Sequence, residues 1–480
     1  MKTTHLTIKI SPETSEVLNR ISEEYSSNKS AIIKSLLNKA ITSNISEKSD
    51  NKTTSIKNRS EFVSIDENLL RAIAEKFLLP LFSGASLDAA ASASNANEST
   101  VALIDPQTIG FKVDRLDNYR LKFRRDQPFG LSSDISRETQ VIEAFVAVLN
   151  RMSVALHGPL KDDLLTTFQR QVVSEAATEN GGAPKLLQVI DQMAIWATRL
   201  YEGAPISSAI GIDPTANGMR DLPLSEIVHE DFCAVLSNGL DTILTVDGEL
   251  NLTGHEVLSL SSKASGLCPL RHSAVAEWTL ANDRRIAVVL NRLGEILIFR
   301  NGQLLFARRS GNWHFLTHGP VIRQMSFPRD ENIRQAIYET ALDASFARTG
   351  ACIGVIASRS LRAAKEIIAP DDWLLSSKAK KTKAISKIVA GRKLNELERT
   401  LRQELVAIDG ATIVNHEGEI ISVGAILKID GGSTGGGRTA AAKQLAQFGL
   451  GIKVSQDGAI SGYQRDPATK GATKAVFKVM

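Results

Sequence analysis

Five glycines fall within seven residues at Gly431-Gly432-Ser433-Thr434-Gly435-Gly436-Gly437, and the run passes directly into Arg438-Thr439-Ala440-Ala441-Ala442 and an alanine-rich stretch. These residue types in this order suit phosphate chemistry. Glycine lets a backbone approach a ligand closely, and the first turn of a helix offers unpaired N–H groups and the positive end of its dipole to an anion. Upstream stands Asp409-Gly410-Ala411, a carboxylate beside a glycine, which suits a hard, oxygen-ligated cation such as Mg²⁺ or Mn²⁺. Each feature also has a plainer reading. A glycine cluster makes a flexible surface turn, and an aspartate before glycine makes a turn between strands. The candidate nucleotide-binding residues are Asp409, Gly410, Ala411, Gly435, Gly436, Gly437, Arg438 and Thr439, with Asp409 the candidate metal ligand.

These residues resemble the diadenylate cyclase family, whose signature is Asp-Gly-Ala followed some two dozen residues later by Gly-Thr-Arg-His-Arg-Ala-Ala. The first motif stands complete as Asp409-Gly410-Ala411. The second stands as Gly435-Gly436-Gly437-Arg438-Thr439-Ala440-Ala441, so that Gly437, Arg438 and Thr439 hold the positions of the family's Arg-His-Arg. The segment from Ala344 to Ile356 resembles the helix and strand that open the family core, and Ser455-Gln456-Asp457-Gly458-Ala459-Ile460-Ser461 resembles its closing segment. The resemblance runs from about Ile333 to Tyr463. It implies a mixed-sheet α/β domain flanked by helices, and a site that takes ATP or a cyclic dinucleotide.

Phosphoryl transfer depends on positioning and on stabilising the charge of the reacting phosphates. Two cationic positions of the signature have become uncharged here, so the resemblance implies a site that binds a nucleotide better than it converts one. The sequence therefore reads as a nucleotide or cyclic-dinucleotide sensor of the family's degenerate branch, placed by that resemblance in bacterial defence or transcriptional control. The alternative is an active diadenylate cyclase, with Asp409 as its catalytic metal ligand. A third reading is a structural adaptor that makes protein contacts alone.

Ahead of the glycine cluster, Ile286–Leu290, Glu295–Phe299 and Gln303–Phe306 are short β-rich runs, and Asn301-Gly302 between the last two predicts a tight hairpin. This meander leads to a helix over Ile333–Arg348. Arg308, Arg309, Trp313 and His314 are candidates to line a ligand cleft, with the tryptophan on a base and the arginines on phosphate, or else they form a solvated hairpin end. Arg271-His272 reads as an ordinary surface or core pair.

The amino-terminal end carries a separate signal. Leu6, Ile8 and Ile10 alternate with His5, Thr7 and Lys9, the pattern of a strand with two unlike faces. Ser11-Pro12-Glu13 opens a helix, and Asn28-Lys29-Ser30 caps a second one. One strand and two helices in so short a span bury too little to stand alone, so the unit should pair with a second copy. It resembles a ribbon-helix-helix module. That resemblance implies DNA binding, with His5, Thr7 and Lys9 on bases and Asn28, Lys29 and Ser30 on backbone phosphate. A dimerisation clip without DNA is the competing view.

These elements divide the chain into a ribbon-helix-helix-like module over 1–44, a flexible polar linker over 45–62, an α+β middle region over 63–246 and a diadenylate-cyclase-like domain over 247–475. In the middle region Gln140–Leu149 and Leu186–Tyr201 have helical periodicity, with a helix stop at Gly203, and Ile206–Ile212 and Thr242–Val246 read as strands. No Walker-type loop, nucleophile elbow or metal-ligand spacing appears there.

Of 480 residues, 43% are hydrophobic and the formal net charge is only +4, which gives no general attraction to nucleic acid or membrane. Basic character is local: Lys378, Lys380, Lys381, Lys383, Lys387, Arg392 and Lys393 cluster in one stretch, as the wet side of a helix or an anion site. Three well-separated cysteines argue against a disulfide frame or a zinc site. With no signal-peptide core and no spanning run, the expected compartment is the cytoplasm, with no membrane partner and an even-numbered homo-oligomer.

Overall fold

The computed structural model describes residues 67–88, 101–113, 120–129, 138–152, 156, 161–178, 181–259, 267–325, 328–374, 378–429, 436–469 and 471–480. The chain divides into two units, Met1–Glu61 and Phe62–Met480. The expected ribbon-helix-helix module, its DNA-facing residues and the linker lie outside the described residues, all of which belong to the second unit.

That unit is mixed α/β. It begins with α1 (Glu67–Ile73), which leads into a four-stranded sheet of β1 (Ser86–Leu87), β2 (Val101–Asp105), β3 (Thr108–Lys112) and β4 (Arg120–Arg124), ordered β1-β4-β3-β2. Three helices follow: α2 (Glu138–Met152), α3 (Lys161–Ala177) and α4 (Ala183–Trp196). Along α2 the buried residues Val141, Ile142, Phe145, Val148, Leu149 and Met152 recur at helical spacing, so the apolar stripe anticipated from Gln140–Leu149 is the buried face. Helix α4 stops at Trp196, short of the expected Tyr201. Glu202 and Gly203 instead take positive φ of 48° and 80° and turn a small hairpin between β5 (Leu200–Tyr201) and β6 (Ala204–Pro205).

The next sheet runs through β7 (Ser208–Asp213), a short α5 (Leu224–Ile227), β8 (Thr242–Asp247), β9 (Leu252–Val257), α6 (Ser273–Trp278), β10 (Ile286–Leu290), β11 (Ile296–Arg300), β12 (Gln303–Arg309) and β13 (Asn312–Phe315), in the order β13-β12-β11-β10-β7-β8-β9. Asn301 and Gly302, with φ of 50° and 71°, make the predicted tight turn between β11 and β12. Alternate residues of β10 serve opposite faces: Val288 belongs to the same core as Phe145 and Met193, whereas Ala287 and Val289 belong to a second core with Trp278, Tyr338 and Ile353.

The last sheet follows α7 (His318–Gln324) and α8 (Glu331–Ala347). It contains β14 (Ala351–Ile356), then α9 (Leu361–Ile367), α10 (Lys380–Val389) and α11 (Arg399–Ala407), then β15 (Ala411–Asn415), β16 (Ile420–Ala425), α12 (Gly437–Ala446), β17 (Gly449–Val454), β18 (Ile460–Arg465) and β19 (Thr473–Val479), ordered β16-β15-β14-β17-β18-β19. Asp330 caps α8 by accepting from Asn332 N, and Arg348 closes it in the left-handed region at φ 59°. Strands β7 and β14 are buried along their whole length, as strands covered on both faces must be.

The two large sheets are copies of one arrangement. In each, a helix leads to a central strand; a crossover returns parallel to it, a hairpin follows, and a helix then leads into an antiparallel meander on the other side. Among the described residues only the pairs β7/β8 and β14/β15 are parallel. Gly211 in β7 and Gly354 in β14 mark the same point. A Cβ on Gly211 would come within 2.6 Å of Trp278 Cη2 in α6, and one on Gly354 within 2.8 Å of Leu445 Cδ1 in α12. Register supports the match: Gly211 lies opposite Thr245, and Gly354 opposite Ile413. Two residues beyond each partner stand Asp247 and Asn415. Each accepts from the backbone N–H groups two and four positions later, namely Glu249 and Asn251 in one case and Glu417 and Glu419 in the other. We call these copies the first and second repeat.

Candidate functional site

Topology gathers the glycine-motif residues at one edge of the second repeat. Because β14 and β15 run parallel with Ile353 opposite Thr412, their starts lie side by side, and Gly350 and Asp409-Gly410 share an edge. Strand β17 runs back against β14 with Ala351 opposite Val454, so the turn after β17 ends there too. Helix α12 lies over these strands at very close range: a Cβ on Gly451 would sit 1.8 Å from Ala442 O. Its first turn therefore returns to the starting edge, and the Arg438 guanidinium covers Gly350, where a Cβ would come 2.8 Å from Nη1. Gly350, with φ 66°, is a residue that the motifs do not reveal.

Asp409 is exposed, and its Oδ1 accepts from Gly410 N at 3.1 Å. Gly410 has φ +106°, and a Cβ there would meet the Gly424 carbonyl carbon at 2.5 Å, so this glycine is required by backbone approach within the sheet. Ala411 is buried, with its side chain in the core beside Cys352, Ile413 and Ala425. At the helix start Gly436 adopts φ 83°, ψ 159°, a conformation open essentially to glycine alone. Gly436 and Gly437 are exposed, and an added Cβ on either would meet nothing within 4 Å. Thr439 N and Ala440 N bond back to Gly436 O at 3.1 and 3.2 Å, which places the N–H groups of Gly437 and Arg438 ahead of the first intrahelical bonds. Gly435 lies outside the described residues. Beneath the arginine, burial pushes the Cys352 thiol up to about 12 although the Arg438 charge pulls the other way, so this cysteine stays protonated.

Lys381 belongs to the same neighbourhood. Its Nζ donates to Asp372 Oδ1 at 2.6 Å and to Gly424 O at 3.0 Å, and Asp372 Oδ2 accepts from Ile426 N at 3.0 Å. This ion pair braces the backbone that touches Gly410. The remainder of the basic stretch on α10 presents Lys380, Lys383 and Lys387 outward, the wet face that the sequence allowed for.

Of the four hairpin residues read either as cleft lining or as a solvated hairpin end, Arg309 and Trp313 are buried and Arg308 and His314 are half-buried. Trp313 is 3% exposed and belongs to the core with Phe145 and Phe306. Arg309 Nε donates to Glu295 Oε1 at 2.8 Å, and its Nη groups donate to Ser345 Oγ and O. Arg348 also pairs with Glu295 and donates to Asp457 O, while Ser345 Oγ donates to Gly458 O at 2.5 Å. Arg309 thus ties the first repeat to the turn after β17; it supports the site edge from behind. His314 is held below its ordinary pKa by burial and the nearby Arg309 charge. Arg308 and Trp313 border a separate cavity with Thr166, Gln169 and Arg170. The placement of Arg309 follows from the buried carboxylate of Glu295, which the meander pattern marks as a strand residue only.

Among the described residues no group of three or more His, Cys, Asp or Glu converges to hold a metal ion, and no helix is long and apolar enough to cross a membrane. A lone exposed Asp409 fits a divalent ion that arrives with phosphates, because Mg²⁺ commonly takes one or two carboxylates plus phosphate oxygens and water.

No protein-family model and no curated protein matches the sequence. Among solved structures, a double mutant of DacA from Staphylococcus aureus is similar at 20% identity over 26% of this chain and 87% of that one, with a TM-score of 0.20. A hypothetical membrane spanning protein from Bacillus cereus is similar at 14% identity over 35% of this chain and 89% of that one, with a TM-score of 0.22. The likeness is one of fold, distant and partial.

Proposed function

We propose that the edge formed by Asp409, Gly436, Gly437 and Arg438 binds a nucleotide, ATP or a cyclic dinucleotide, and that the protein acts as its sensor. The observation that carries this reading is the convergence of an exposed carboxylate, two open glycines and an arginine on one sheet edge, from the two sides of the β15–β16 hairpin. Glycines at Gly436 and Gly437 leave room for phosphate oxygens beside the first-turn amides, Arg438 supplies a cation, and Asp409 accepts a ribose hydroxyl or a phosphate-borne Mg²⁺ or Mn²⁺. One arginine over Gly350 offers little to stabilise the charge of a transferring phosphoryl group, which favours binding over turnover. Incubation of the purified chain with labelled ATP and either ion tests the reading: ATP is retained and recovered unchanged. A cyclic product that vanishes in Asp409→Asn would make the protein a cyclase instead.

For the amino-terminal module the proposal rests on sequence. Its strand pairs with that of a second copy and contacts DNA through His5, Thr7 and Lys9, with Asn28, Lys29 and Ser30 on phosphate. Ligand at the core would then bias DNA affinity through different preferences for two arrangements of the chain. A gel shift on the DNA upstream of its own coding sequence, with and without ATP, addresses that arm.

A further inference from the structure

Arg308 and Arg309 are neighbours in β12, so their side chains leave the sheet on opposite faces. Arg309 turns toward the second repeat, where it meets Ser345; Arg308 turns toward α3 and α4. Register fixes the second direction: Ile296, Arg308 and Trp313 lie opposite one another on β11, β12 and β13, and such a row shares one face. Ile296 is fully buried and Trp313 nearly so, which stands Arg308 among core residues on a face that helices cover. Across from it, Thr166, Gln169 and Arg170, at one-turn spacing on α3, and Ile190 and Ala194, at one-turn spacing on α4, complete a cavity of about 180 Å³. Thr166 and Gly311 are exposed, which opens it to solvent.

The charges around this cavity do not balance. Arg170 Nη1 lies 2.7 Å from Asp191 Oδ1, while its Nε is buried with no hydrogen-bond partner. Arg308 is half-buried, and among the described residues no carboxylate pairs with it. Burial and the Arg170 charge hold its guanidinium below the ordinary arginine range, the direction that loss of water and a like charge both give. Two guanidiniums thus share one acid around a small chamber walled by Ile190, Ile296 and Trp313, where an unpaired charge is costly and an added anion is held strongly. Arginine offers its donors as a planar fork that matches phosphate oxygens. At about 180 Å³ the chamber falls below the roughly 300–1,000 Å³ of pockets for drug-sized ligands, so it suits a small anion and is too small for a whole nucleotide.

We propose that this chamber is an anion site in which Arg308 and Arg170 bind a phosphate group, as the free ion or on a small ester. The site is independent of the nucleotide edge, and the test removes that edge by using the full chain carrying Arg438→Ala as parent. Thermal melts across a titration of inorganic phosphate at constant ionic strength give the affinity, through the stabilisation that a ligand of the folded state produces. Without phosphate, Arg308→Met in that background should melt at or above its parent, because it removes an uncompensated charge and keeps the packing of the stem. It should bind phosphate at least about tenfold more weakly. Arg308→Lys, which keeps the charge but loses the fork, should fall between the two. The same titration with glycerol 3-phosphate identifies the source: binding tighter than that of inorganic phosphate assigns the site to an ester, and equal or weaker binding assigns it to the free ion. Equal phosphate affinity in parent and Arg308→Met overturns the site, as does the absence of a shift with either compound at millimolar concentration. An Arg308→Met protein that melts below its parent without phosphate also overturns it, since Arg308 would then be a structural residue.

Discussion

Arg309 Nε lies 2.8 Å from Glu295 Oε1, each side chain 3% exposed, and the pair joins the first repeat to the turn that borders the candidate site in the second. Burial alone would raise the Glu295 carboxyl. Arg309, the Asn291 amide and Arg348 outweigh it and hold the group below the ordinary glutamate range. Breaking a buried pair by removing one partner strands the other charge, so Glu295→Ala should lower stability by about 3–5 kcal/mol in urea unfolding. A depressed folded pKa gives stability that is present above the unfolded value, near pH 4.3, and is lost as pH falls through the folded value. Wild-type protein should accordingly lose this contribution on the acid limb, and Glu295→Gln should not show that loss.

Two glycines in the site region should respond in opposite ways. Gly410→Ala meets the Gly424 backbone at 2.5 Å and keeps a positive φ, so it should cost at least about 1–3 kcal/mol from conformation alone. Gly437→Ala meets nothing within 4 Å at an ordinary helical position and should gain about 0.4–1 kcal/mol while crowding the amides that face the ligand. Urea midpoints with unchanged m-values measure the first effect, and ATP affinity measures the second.

Cys233, Cys268 and Cys352 are all buried, and desolvation raises their pKa to about 11, 12 and 12 respectively. None should react quickly with a thiol reagent at neutral pH, since the thiolate is the nucleophile. Denatured protein should release all three. Fast labelling of Cys352 in the folded chain would mean that the strand under Arg438 is open.

Local pattern carried much of this fold. The Asn301-Gly302 turn, the apolar stripe of α2 and the helix before β14 each depend on neighbours within a few residues, and those are the features that hydrophobic period and turn chemistry report. Asp409 and Arg438 were legible as chemistry because glycines flank both. The roles of Arg309 and Trp313 were not, since they depend on Glu295 and on a core assembled from distant segments. The repeat escaped sequence reading for a related reason: its copies share a strand order and register, with few residues in common and crossovers of different length.

Affinity for ATP in the wild-type chain and in Arg438→Ala, compared by equilibrium dialysis with Mg²⁺ present, is the most direct trial of the proposed nucleotide edge. A charge-assisted contact to phosphate is worth about 1.5–3 kcal/mol, so binding at the second repeat should weaken about tenfold or more while the fold stays intact. Equal affinity in the two proteins, or no binding to either at millimolar ATP, would contradict it.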